Sequence, residues 1–210
     1  MLNNFKKILV LAPHTDDGEL GAGGSISKLK ELGAHITYVA FSIAEESVPE
    51  GLPKDTLKQE VGAASKILDI DRLVVHNYKV RKFNYVRQEI LEDLIKLRNE
   101  NDYDLVFTPS LNDIHQDHSV IAIESIRAFK RTTILGYELI WNNLKFESNC
   151  FVNLEKKHVE LKCKALNEYK SQAGRDYISE DFIYALAKTR GVQVGYKYAE
   201  NFEVIRWVIS

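Results

Sequence analysis

The chain has 210 residues, 45% of them hydrophobic and 28% charged, with four prolines. That length suits one substantial core and is short for two. Lys and Arg (28) nearly balance Asp and Glu (30), the net charge is −2, and no basic block stands out, so no nucleic-acid partner is expected.

The opening stretch, MLNNFKKILVLAPHTDD, places Lys6 and Lys7 before an apolar run only about half as long as a signal-peptide core. No run approaches the ~20 apolar residues of a membrane span. A cytoplasmic protein without a transmembrane segment is expected. Cys150 and Cys163 form no CxxC pair and no zinc-ribbon spacing, and are read as free thiols.

Strand and helix signals alternate along the chain. The apolar run 7–12 predicts a strand. Residues 18–33 predict a helix with Leu20, Ile26, Leu29 and Leu32 as apolar positions and Gly33 as its stop. A strand follows over 36–41, then a helix over 55–68 with Asp55 as N-cap, and a short strand over 73–75. An amphipathic helix spans 85–98 and a strand spans 105–108, stopped by Pro109. A polar loop leads to a helix over 118–129, and 133–137 is a strand. The stretch 140–152 suggests more strand, 155–169 and 181–189 are helical, and 203–209 closes as a strand. Such alternation predicts an α/β, Rossmann-like three-layer αβα domain with a mostly parallel sheet, here a single domain over residues 1–210.

In open α/β sheets, ligands sit beyond the carboxyl ends of the strands. The first strand delivers His14, Asp16 and Asp17 there, in LAPHTDDGE. The second delivers Glu45 and Glu46. The third delivers His76, read as a pocket wall. The fourth delivers Asp113, His115, Asp117 and His118, in NDIHQDHS. The first and fourth strands flank the switch point in the commonest winding order, so the two motifs face one crevice. Adjacent carboxylates repel unless a cation sits among them. A divalent metal among His14, Asp17 and a histidine of the second motif gives two histidines and one carboxylate with an open position for water. Zinc lowers the pKa of such a water to roughly 7, and the remaining aspartate is free to act as base.

Plainer readings exist for each residue. His14 could punctuate a turn, the two aspartates could serve a helix dipole, and His115 and His118 could lie exposed before a helix. Together at one sheet edge, they exceed those needs. Gly18, Gly21, Gly23 and Gly24 match neither GxGxxG nor a Walker loop, and are read as permitting close helix–sheet packing.

These motifs resemble the LmbE-like, or PIG-L, family of zinc-dependent N-deacetylases. APHTDDGELGAGGSISKL is similar to its (A)HPDDE opening and NDIHQDHSV to its HxDH segment. KCKALNEYKSQ (162–172) and GYKYAENFE (195–203) are similar to its later segments, so the likeness runs the length of the chain. Thr15 replaces the usual proline, and Gly18-Glu19 stands where a glutamate follows directly. Leu57 and Lys58 stand near Glu60, where the family often has an arginine. The resemblance implies that His14, Asp17 and His118 bind zinc and that Asp16 is the general base. It implies that His115 stabilises the oxyanion or protonates the leaving amine, and that Asp117 orients and charges His115. The implied reaction removes the acetyl group from an N-acetylglucosamine unit of a small molecule. The ligand set also tolerates iron(II). Two rivals share these residues: a two-histidine, one-carboxylate iron(II) oxygenase, and a non-catalytic Rossmann-like binding module.

Overall fold

The computed structural model describes residues 2–209. Seven strands form one sheet, in the order β3-β2-β1-β4-β5-β7-β6. They are β1 (Lys7–Ala12), β2 (His35–Ala40), β3 (Arg72–Val75), β4 (Leu105–Pro109), β5 (Thr133–Tyr137), β6 (Cys150–Leu154) and β7 (Tyr198–Arg206). The first five pair in parallel, and β7 turns back antiparallel between β5 and β6. The parallel core strands are near-continuous apolar runs because both sheet faces are covered; in β1, Ile8 to Ala12 are fully buried. The structure thus has the doubly wound α/β architecture expected.

Helices α1 (Asp17–Glu31), α2 (Thr56–Ile67), α5 (Lys156–Leu166) and α6 (Glu180–Gln193) contribute to one apolar cluster. Helices α3 (Arg87–Glu100) and α4 (Gln116–Ala128) contribute to the other. Gly33 ends α1 with φ 79°, where Gly33 N–H bonds to the carbonyl of Lys30 and Ala34 N–H to that of Leu29. Gly21 lets α1 lie close on the sheet: a Cβ there would sit 2.3 Å from the Tyr137 ring.

Four expectations change. Residues 140–149 form no strand; Trp141 and Asn142 line a cavity instead. Strand β7 begins at Tyr198, because Glu200 and Asn201 are buried within it despite their polarity. Pro109 is the last residue of β4 and still pairs with Tyr137. Asp55 holds the N-cap position of α2, but its carboxylate accepts from the Gln59 side chain at 2.9 Å rather than from a backbone N–H.

Candidate active site

Strand β1 pairs with β2 on one side and β4 on the other, so the switch point lies between β1 and β4. The loop after β1 carries His14 to Asp17, and the loop after β4 carries Asp113 to His118. The structure brings all six predicted site residues to this crevice. A cavity of ≈ 310 Å³ opens there, with His14, Asp16, Asp17, His115 and His118 in its wall.

Three ligand-type atoms form a near-equilateral triangle. His14 Nδ1 lies 3.1 Å from Asp17 Oδ2. His118 Nε2 lies 3.2 Å from that oxygen and 3.2 Å from His14 Nδ1. Tetrahedral bonds of about 2.0–2.1 Å imply ligand–ligand edges of about 3.3 Å, so this triangle is one face of a zinc-sized tetrahedron. A second grouping, one ring nitrogen each from His14, His115 and His118, falls within 4.8 Å. It is looser, and it leaves out Asp17, the only carboxylate among the described residues that touches both His14 and His118. The tighter set fits the donor chemistry of a divalent metal better.

Each ring of the triangle is held from behind by a carboxylate. Asp117 Oδ2 lies 3.2 Å from His14 Nε2, and Asp113 Oδ2 lies 2.8 Å from His118 Nδ1. Such partners fix tautomer and ring direction in metal sites. Asp113 also accepts from the His115 N–H at 2.8 Å. Asp113 was visible at the sheet edge, but spacing gave it no role. Its place five residues before His118 is the only signal that could have found it.

The expected pairing of Asp117 with His115 is not what the structure shows. The Asp117 carboxylate turns to His14 and to the Arg81 N–H, at 2.6 Å. Only its backbone N–H meets His115, donating to Nδ1 at 3.2 Å. His115 is thereby the N-cap of α4. With Nδ1 accepting, the neutral ring carries its proton on Nε2. Burial and the neighbouring His118 and His14 push His115 down to about 4, so it is a neutral donor at pH 7.

Charges in the triangle are strongly displaced. Burial alone would raise Asp17, but His118 and His14 hold it well below the usual carboxylate range. Burial would lower His118, yet Asp17 and Asp113 raise it to about 10. His14 is also raised, since Asp17 and Asp117 outweigh its burial. The carboxylates therefore demand positive charge at this point, which a proton or a metal ion can supply. Asp16 differs. It stands at the N-cap position of α1 yet makes no capping hydrogen bond. Burial and the adjacent Asp17 raise it to about 6, a value suited to a base near neutral pH.

Behind the loop, Glu19 is fully buried and bonds both Tyr38 and Tyr169, the latter at 2.9 Å. Both tyrosine hydroxyls also reach the Thr15 carbonyl, at 2.9 and 2.7 Å. Two hydroxyl protons cannot serve four acceptor contacts. A protonated Glu19 supplies a third, in keeping with its shift to about 8 by burial. The inserted Gly18 thus leaves Glu19 bracing the loop. His76 is not a wall of the cavity: it stacks on Phe41 at 5.5 Å and lies 3.3 Å from Asp93. Glu45 and Glu46 also lie outside the cavity wall; Glu46 pairs with Lys79 at 2.9 Å.

Fold and site together define a Rossmann-like α/β protein with a two-histidine, one-carboxylate candidate metal site at its switch point. The model of the PIG-L family, described as GlcNAc-PI de-N-acetylase, matches residues 9–129, and the chain belongs to that family of N-deacetylase hydrolases. The uncharacterized deacetylase YaiS of Escherichia coli is 29% identical over 175 residues, covering 80% of this chain and 93% of its own. The diacetylchitobiose deacetylase of Thermococcus kodakarensis is 22% identical, covering 97% and 84%. Among solved structures, N,N'-diacetylchitobiose deacetylase from Pyrococcus horikoshii superposes with a TM-score of 0.83 at 24% identity, over 97% of this chain and 85% of that one. The 4-carboxy-2-hydroxymuconate hydratase GalB of Pseudomonas putida superposes with 0.77 at 17% identity, over 98% of each. One fold therefore carries different reactions, and function must be argued from the site.

Proposed function

We propose that this protein is a zinc-dependent N-deacetylase acting on an N-acetylglucosamine unit of a small molecule. The observation that carries the reading is the triangle of His14, Asp17 and His118, with the uncapped carboxylate of Asp16 beside it. Diacetylchitobiose as the substrate of two similar proteins supports the sugar. His14, Asp17 and His118 would hold the ion, which when bound supplies Lewis acidity and lowers the pKa of a bound water to roughly 7. Asp16 takes the proton of the attacking water. His115 Nε2–H donates to the amide oxygen as negative charge develops on it. The proton returns to the leaving amine from Asp16 or through His115. Acetate and a free amino sugar result. The free thiols Cys150 and Cys163 suit a reducing compartment, which supports a cytoplasmic place of action.

The test measures primary amine released from N-acetylglucosamine and diacetylchitobiose by zinc-loaded and chelated protein. Zinc-dependent release is expected. No release from protein holding one tightly bound zinc would overturn the reading. Oxygen uptake by iron(II)-loaded protein with a 2-oxo acid would put the oxygenase in its place.

A further inference from the structure

We infer that the two later motifs, 162–172 and 195–203, position the first turn of α1. Lys162 and Glu200 hold that turn from the flank and Tyr169 holds it from behind, and together they set where the Asp16 and Asp17 carboxylates stand. The inference rests on the deacetylase reading, which gives these motifs no part, and deepens it.

Short chains of hydrogen bonds run from these residues to the base. Lys162 Nζ donates to the Leu20 carbonyl at 2.7 Å, and the Leu20 N–H donates to the Asp16 carbonyl at 3.0 Å. A single residue therefore separates the ammonium group from Asp16. On the other side, the Tyr169 hydroxyl lies 2.7 Å from the Thr15 carbonyl and 2.9 Å from Glu19. The peptides before and after Asp16 are thus both held, while its carboxylate makes no capping bond and faces the cavity. Asp17 begins the same turn and reaches back to the His14 N–H at 2.8 Å, so a shift of the turn moves the metal ligand and the base together.

Lys162 and Glu200 also take up groups that belong to the helix. Leu20 C=O accepts from Lys162, while the N–H groups of Gly24 and Ser25 donate to Glu200 at 3.0 and 2.7 Å. An unbroken ladder would join Leu20 C=O to Gly24 N–H with no charge buried. Side chains that enter a ladder in this way loosen the helix at that turn. The turn Asp17–Leu20 therefore takes its direction from the ion pair more than from the body of α1. Gly23 admits the pair, since a Cβ there would sit 2.9 Å from Lys162 Cγ. A buried ion pair adds little stability over apolar side chains of similar size, and glycine is a poor helix former. Stability of α1 does not explain the arrangement; placement of its first turn does.

The test replaces the ion pair as a unit. Lys162→Met/Glu200→Met leaves no buried unpaired charge and lets Leu20 C=O and Gly24 N–H meet. Cobalt(II) is loaded in place of zinc, and its visible absorption reads the geometry of the ligands without turnover. Urea midpoints read stability, and amine release reads kcat and KM. We expect a midpoint close to that of wild type, one metal per chain and a changed cobalt spectrum. We also expect kcat to fall about ten-fold or more, with KM changed by less than about two-fold. Tyr169→Phe keeps the ring, and should change the spectrum less and lower kcat about three-fold. A wild-type spectrum and kcat in the folded double variant overturn the inference and leave the pair a brace. If the double variant does not fold, the same result in Tyr169→Phe overturns it. The spectrum is read without substrate, so failure of every sugar to release amine counts against the deacetylase reading alone.

Discussion

Helix α1 connects two clusters of buried charge with opposite characters. At its N-terminus, His14, Asp17 and His118 turn three ligand atoms toward one point, and the carboxylates of Asp113 and Asp117 stand behind the rings. On its flank, Lys162 and Glu200 form an ion pair at 2.7 Å, both nearly buried. Lys162 donates to the Leu20 carbonyl at 2.7 Å, and Glu200 accepts from the N–H groups of Gly24 and Ser25. Leu20 C=O and Gly24 N–H are partners in an ideal helix ladder, so the pair serves the groups of one helical turn. Every charge on the flank is matched within the chain. At the front, the lone pairs converge and ask for something more. Burial of charge alone does not mark a site; convergence without a closing partner does.

The sharpest way to break this contrast is at the triangle itself. Asp17→Ala should abolish stoichiometric zinc binding, read by metal analysis after dialysis, and activity with it. Asp16→Asn should keep one zinc and lose on the order of 10²–10⁴-fold in kcat. If the two variants behaved alike, the division between ligand and base would fall. On the flank the prediction reverses. Lys162→Met leaves Glu200 buried without its partner and should cost about 3–5 kcal/mol in denaturant unfolding, while the folded fraction still binds one zinc.

Smaller effects test the carboxylates behind the rings. Asp113→Asn keeps size and loses charge, and should weaken zinc roughly 10–100-fold, measured against a competing chelator. An unchanged affinity would make Asp113 a loop brace only. The last effect is a slope with pH rather than a loss of function, and concerns Glu19. Its pKa is raised to about 8 in the fold, so the native state holds a proton that the unfolded chain loses near pH 4.3. Stability should therefore fall as pH rises between these values, by at most about 1.4 kcal/mol per unit, and level off above pH 8. Glu19→Gln should remove that slope, read from urea midpoints at pH 5 and pH 7.5.

Much of this was legible from residues alone. Strand 7–12 and strand 133–137 were read with the bounds the structure has, because parallel strands covered on both faces are unbroken apolar runs. The winding order then placed His14 and His118 in one crevice. Polar residues in unusual service were harder. Glu200 and Asn201 look like loop but are buried in β7, since Lys162, 38 positions earlier on α5, neutralises the first. The resemblance pairs Asp117 with His115, whereas in the structure the carboxylate meets His14 and only the backbone N–H meets His115; neither motif nor spacing says which way a carboxylate turns at the start of a helix. Trp141 and Asn142 sit among apolar residues that resemble a strand, yet their segment leaves the sheet to wall the cavity.

The separation of the triangle along the chain bears on how the protein matures. His14 and His118 stand 104 positions apart, and His14 and Asp117 stand 103 apart. Neither loop can find the other until β1 has aligned with β4 through Ile8, Leu9 and Val10. Closing so long a segment is entropically costly, so short fragments cannot assemble the site in advance. An ion held by all three residues would therefore be captured only after the central pairing is made, and its binding would add to the native state alone. On the proposed reading, metal content in a preparation would be a census of correctly folded molecules.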